Sequence, residues 1–231
     1  GAERTFRTRP PPGSSFTGTR QLLWLALRMD RFRVAMWMLG LVGLMVVSAS
    51  SIVALYTTQA ELDGYARTAR GNSALIIQAG PGYGLGDPTL GAVVMNETAQ
   101  WLFIAVAVMS VFMVVRHTRT EEETERAELV RAAPVGRHAA LTSAMIATLI
   151  VNAMIAAGNI VALVAFGLPL AGSLAFGASM VGVGMVFAGV AAVTAQVASG
   201  SRAALAGGGV AVGVAFVLRA IGDVGDGRLS W

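Results

Sequence analysis

VAMWMLGLVGLMVVSASSIVALY, residues 34 to 56, runs for 23 residues without a charge. As a helix it would rise about 34 Å, enough to cross a hydrocarbon layer of about 30 Å. In hydrocarbon every backbone N–H and C=O must be satisfied inside the segment or in a closed barrel, so a run of this kind folds as helix. Four more apolar runs follow, near 99–115, 139–166, 172–198 and 203–218. Trp101 and Arg116 bracket the second as interfacial anchors. Gly167-Leu168-Pro169 separates the third from the fourth, because proline cannot donate to a continuing helix, and Ser199-Gly200-Ser201-Arg202 breaks the next boundary. The fold class that follows is an all-α membrane protein with about five spans. Composition agrees: 55% of residues are hydrophobic and 13% charged, against about a quarter charged in soluble domains.

Arginine placement sets the orientation, since short Arg-rich loops stay in the cytoplasm. Seven arginines precede the first span, at 4, 7, 9, 20, 28, 31 and 33, and five lie between the second and third, at 116, 119, 126, 131 and 137. The other side has Arg67 and Arg70, with Arg219 and Arg228 as a small exception. The expectation is a bacterial plasma-membrane protein, multi-pass, with a cytoplasmic N-terminus. Residues 1–16, rich in Pro, Arg and Ser, read as a disordered cytoplasmic tail. Residues 17–33 read as an amphipathic interfacial helix, with Trp24, Arg28, Arg31 and Arg33 at the headgroups, the alternative being a plain cytoplasmic extension of the first span. Residues 34–231 are then the transmembrane domain. Its external loop, 57–98, carries turn chemistry at Gly80-Pro81-Gly82-Tyr83-Gly84 without a recognisable site. Five spans and a polar tail lead us to expect a piece of something longer, or a missing sixth span.

The most charged stretch, RTEEETERAELVRAAPVGR (119–137), sits between two apolar runs. Thr120 and Glu123 form a T-x-x-E capping box. Glu121, Glu122 and Glu123 put negative charge at the positive end of the helix dipole. Glu122 pairs with Arg126 at i,i+4 and Glu128 with Arg131 at i,i+3, and Pro134 and Gly136 stop the helix. The pattern predicts a cytoplasmic helix over 120–133. Its narrow stripe of Ala127, Val130 and Ala133, with Leu129 alongside, suits either a solvated loop helix or docking in a groove on another protein.

All 17 basic residues are arginine. Without lysine there is no P-loop and no kinase strand lysine, so any ATP must be bound by another chain. No cysteine means no disulfide framework and no thiolate site. The arginines cluster at the ends of apolar runs and form no continuous basic face, which argues against nucleic acid. His117 and His138, without an HExxH pattern, read as interfacial polar residues and not as metal ligands.

The string RHTRTEEETERAELVRAAPVGRHAAL (116–141) resembles the segment after the second span in ABC-2-type permeases of actinobacterial drug and polyketide-antibiotic exporters. Those chains read R-H-T-R-x-E-E-E-x-G-R-x-E-L-V-R-x-x-x-V-G-R. The match holds at Arg116, His117, Thr118, Arg119, Glu121, Glu122, Glu123, Arg126, Glu128, Leu129, Val130, Arg131, Val135, Gly136 and Arg137, and departs at Glu125, where the family often has glycine. GTRQLLWLALRMDRFRVAMW resembles the family's interfacial helix entering span one, and RAIGDVGDGRLSW the start of its external loop before span six. The resemblance covers the whole chain but only the first half of a typical member.

It implies a type V exporter-like transmembrane domain with six spans per half, a second permease half or the remainder of a longer chain, and a separate ATPase subunit in two copies that binds ATP and Mg. Residues 120–133 would be the coupling helix, with Glu121, Glu122, Glu123, Arg126, Glu128, Arg131, Val135 and Gly136 at the ATPase. The chain itself would hold no cofactor and catalyse nothing. It would export hydrophobic or amphiphilic compounds such as drugs and antibiotics, conferring antibiotic resistance.

Within the spans, Asn152 and Asn159 lie seven residues apart on one helix face with Thr148 nearby. They serve either helix–helix hydrogen bonding or a substrate path. Ala178, Gly182, Gly184 and the pair Gly209 and Gly213 suggest close helix approach. An ion-coupled secondary multidrug carrier is the alternative, but it needs an ionisable residue in mid-span, and every Asp and Glu falls outside the five runs. A membrane enzyme finds no Ser-His, Asp-Asp or HExxH arrangement.

Overall fold

A computed structural model describes residues 16–70, 72–120, 136 and 138–224, and among them the chain is helical with no strand. The helices are α1 (Thr19–Met29), α2 (Arg31–Leu55), α3 (Gln59–Arg70), α4 (Ser73–Ala79), α5 (Leu90–Val115), α6 (Ala139–Ala165), α7 (Leu170–Val197) and α8 (Ser201–Val224). Five of them, α2 and α5 to α8, are long and apolar enough to cross a membrane. The all-α membrane architecture expected from the apolar runs is what the chain adopts.

Helix α5 is the centre of the bundle, packed against α2, α6, α7 and α8. Its apolar window is 56% buried, against 17% for α8 at the periphery. Met45 of α2, Leu102 and Met109 of α5, Ile155 and Leu163 of α6 and Met180 of α7 are sealed in the core. Glycine sets how closely these helices approach. A Cβ on Gly158 would lie 2.7 Å from a Val42 methyl, one on Gly177 2.5 Å from Ile160, one on Gly184 2.4 Å from Asn152, and one on Gly208 2.5 Å from Val111. Gly182, Gly209 and Gly213 meet nothing within 4 Å. The G-x-x-x-G of α8 therefore packs no neighbour among the described residues, and Gly208 beside it does that work.

Local chemistry explains the turns. α6 ends in a Schellman motif: Gly167 takes φ 84°, its N–H donates to Val164 and that of Leu168 to Leu163. Pro169 then opens α7. Two expected boundaries change. The second span begins at Leu90, not near 99, because Thr89 caps it through its hydroxyl. The polar residues that suggested a loop are satisfied within or beside the helix: Asn96 donates to the Ala92 and Tyr83 carbonyls, Glu97 accepts from the Tyr65 hydroxyl at 2.6 Å and Thr98 donates to Val94. The loop expected over 57–98 thus shrinks and itself contains α3 and α4. The last span reaches Val224 instead of 218. Glu97 and Asp223 accordingly lie within long helices, which corrects the reading that every carboxylate falls outside the spans.

Candidate functional site

The bundle has two ends. One holds α1, Asp30, the turn after α5, Gly136, His138 and the start of α8; the other holds residues 56–89 and the α6–α7 turn. The charged segment leaves and re-enters the described structure at the first end, so that end is where a functional site is expected.

The amphipathic stretch does not run unbroken from 17 to 33. It bends at Asp30, which closes α1 by donating its N–H to Ala26 and opens α2 by accepting from the Val34 N–H. The side chain of Asp30 turns inward and is 3% exposed. A buried carboxylate is tolerated only when it is paired, and three cationic or titratable groups converge on this one. Arg33 Nη1 donates to Oδ1 at 3.0 Å, Arg116 Nε lies 3.2 Å from the same oxygen, and His117 Nε2 lies 2.6 Å from Oδ2. Burial alone would raise the Asp30 carboxyl; the hydrogen bond and charge of His117, with those of Arg33, outweigh it and hold it below the usual value.

Arg116 and His117 belong to a π-turn, Arg116–Thr120, that continues α5. Its Thr118 hydroxyl donates to Val114 at 2.7 Å. Turns of this kind widen a helix locally and are frequent at functional sites. Here the wider turn carries two consecutive side chains to the same carboxylate. His117, read from sequence as an interfacial polar residue, is buried.

Of the residues expected at an ATPase, Glu121, Glu122, Glu123, Arg126, Glu128, Arg131 and Val135 lie outside the described residues, as does nearly all of the helix expected over 120–133. Gly136 is described. Its N–H donates to the Thr17 carbonyl at 2.9 Å, and Phe16 stacks obliquely on His138 with centroids 6.0 Å apart. One flank of the charged segment is thus bonded to the α1–α2 junction through Asp30, and the other to the start of α1.

The interfacial residues take different places. Trp24 is 61% exposed with the Arg28 guanidinium 5.0 Å from its ring centre. Arg31 lies over Phe32 in the same manner, and Arg33 is drawn to Asp30. Asn152, Asn159 and Thr148 are all buried. Asn152 donates to the Ser110 hydroxyl of α5 at 3.1 Å, which joins two helices. Thr148 and Asn159 bond carbonyls of their own helix.

Three cavities are notable. One of about 360 Å³ beside Asp30 is walled by Val34, Trp37, Phe112, Met113 and Leu205, with Arg33 and Arg116 at its polar side. One of about 150 Å³ lies among α5, α7 and α8, with Gln100 and Arg219 on its wall. One of about 220 Å³ lies between Met95 and the α6–α7 turn. Thr148, Asn152 and Asn159 line none of them. Among the described residues no three His, Asp or Glu side chains cluster closely enough to hold a metal ion.

Asp30 escaped the sequence reading. Its signal was there: a single acid among Arg28, Arg31 and Arg33, at the point where amphipathic pattern gives way to a fully apolar run.

No family model matches the chain. The chain is similar to the multidrug efflux system permease protein Rv1217c of Mycobacterium tuberculosis, with 43% identity over 96% of this chain and 40% of that protein. It spans about two fifths of the length of that relative. The similarity to a drug-efflux permease thus extends over nearly the whole chain, and the five long apolar helices among the described residues make it a multi-pass membrane protein.

Proposed function

We propose that this chain is the N-terminal part of an ABC-2-type exporter permease that moves hydrophobic or amphiphilic compounds, drugs and antibiotics among them, out of the cell. The observation that carries the reading is its 43% identity to a protein named a multidrug efflux permease. A separate ATPase subunit, in two copies, would bind ATP and Mg; these 231 residues contain no lysine and so no P-loop. The end of the bundle that holds Asp30 faces the cytoplasm in this reading, since the arginine-rich flanks gather there.

Residues 120–133 form the coupling helix, with Glu121, Glu122, Glu123, Arg126, Glu128 and Arg131 toward the ATPase. The geometry at their flanks supports such a role. A push on the segment would reach α5 directly through the π-turn, α2 through His117 and Asp30, and α1 through Gly136 and Thr17. These are short, hydrogen-bonded links into three separate helices, which is what alternating access by helix reorientation requires. The second permease half, or the rest of a longer chain, completes the substrate path.

An ion-coupled carrier fits less well. Among the described residues no Asp or Glu lies in the central third of a spanning helix; Glu97 lies in the second turn of α5, bonded to α3. The experiment is purification from membranes in mild detergent, followed by identification of co-purifying proteins and their nucleotide binding. An ATP-binding subunit in stoichiometric amount is expected. Purification without one, together with efflux that collapses with the proton gradient while ATP stays high, would replace the proposal with the ion-coupled alternative.

A further inference from the structure

The cavity beside Asp30 is built unlike the other two. Two guanidiniums and a carboxylate stand on one side, and the remaining wall, from Val34 and Trp37 to Phe112 and Leu205, is apolar. The polar side lies where the amphipathic helix α1 meets the first span, the depth at which headgroups sit. Phe112 is about half exposed on the helix surface, so the apolar wall continues onto the face that meets hydrocarbon. At about 360 Å³ the cavity lies in the lower part of the range for clefts that hold small ligands, roughly 300–1,000 Å³.

Charge decides what belongs there. Asp30 contributes one negative charge, and Arg33 and Arg116 contribute two positive ones, so the cluster is cationic whether or not His117 is protonated. Asp30 is 4% exposed at the side chain and is covered by its partners, whereas Arg33 is 56% and Arg116 35% exposed. Each guanidinium has five N–H groups in a planar fork, and the ion pairs with Asp30 engage Nη1 of Arg33 and Nε of Arg116. The carboxylate therefore orients two arginines at the mouth of an apolar cleft. That matches an anionic head joined to a chain, and basic pockets between spanning helices bind such lipids.

We infer that this cavity is a binding site for an anionic phospholipid, with the phosphate on Arg33 and Arg116 and the upper acyl chain against Val34, Trp37, Phe112 and Leu205. It goes beyond the transport proposal and holds whatever the protein carries. Bound there, the lipid would bridge α2, α5 and α8 beside Asp30.

The test uses the protein reconstituted in phosphatidylcholine vesicles containing increasing amounts of brominated-chain phosphatidylglycerol or brominated-chain phosphatidylcholine. Trp37 emission is read as the difference between the parent and Trp37→Phe. Brominated phosphatidylglycerol should quench Trp37 at mole fractions where brominated phosphatidylcholine does not. Arg33→Gln and Arg116→Gln should each raise the fraction needed by about fivefold, the effect of about one basic side chain at an anionic surface, while Arg33→Lys should keep most of the preference. Equal quenching by the two lipids would overturn the inference, and that comparison needs only the parent and Trp37→Phe, with both arginines intact. A preference that survives both glutamine variants would overturn it as well. Competition by millimolar inorganic phosphate would assign the site to a free anion and not to a lipid.

Discussion

Gly208 and Gly209 are neighbours on α8 with opposite roles. A methyl group on Gly208 would sit 2.5 Å from a γ-methyl of Val111, whereas one on Gly209 would meet nothing. Valine is stiff at χ1 and cannot swing clear. Gly208→Ala should therefore cost about 1–3 kcal/mol, while Gly209→Ala should be neutral or stabilising by up to about 1 kcal/mol, when thermal unfolding of the two variants in detergent is compared. Equal effects would refute the α5–α8 packing described. Tyr65 gives a second residue-scale test. Burial, then the hydrogen bond and charge of Glu97, raise its phenol above the ordinary value. The folded-state value is raised, so the stabilisation is complete below about pH 10, the value of an unfolded tyrosine, and is lost as pH rises through the folded value. In an absorbance titration compared with Tyr65→Phe, Tyr65 should ionise above the ordinary tyrosine range; ionisation at about pH 10 would contradict its burial and its bond to Glu97.

At the scale of elements, the long helices were readable from the sequence and their ends were not. Apolar length identifies a span, but a boundary depends on whether nearby polar groups find partners. Asn96, Glu97 and Thr98 looked like loop because Tyr83 and Tyr65, which satisfy the first two, are distant in sequence. The start of α3 was legible and passed over. Thr58 and Glu61 have the same T-x-x-E spacing as Thr120 and Glu123, and Glu61 accepts from the Thr57 and Thr58 N–H groups at 2.7 and 2.9 Å. Asp30 was hidden for another reason: its partners Arg116 and His117 lie some 86 residues away in sequence, a convergence that periodicity does not reveal. The short helix α4 depends on such a contact too. Arg219 of α8 donates to the Ile77 carbonyl and holds Asp223 at 2.7 Å. Removing a charged hydrogen bond of this kind costs about 1.5 kcal/mol or more. In Arg219→Gln, amides of residues 73–79 should exchange with deuterium about tenfold faster, while those of α5 stay unchanged.

For the molecule as a whole, the described residues form a bundle with five spans, of which α8 is the least buried, and the chain spans about two fifths of the length of its mycobacterial relative. In the proposed mechanism, ATP hydrolysis by a partner subunit drives this bundle through residues 120–133. ATP-dependent uptake of a hydrophobic dye by inverted vesicles holding the permease and its ATPase, with hydrolysis recorded in parallel, puts that coupling to the test. Reversing Glu121, Glu122 and Glu123 to arginine should abolish uptake. The complex should keep its ATPase in detergent, and the hydrolysis that persists should no longer respond to substrate. Uptake that continues unchanged in the reversed variant, with hydrolysis still stimulated by substrate, would contradict the account.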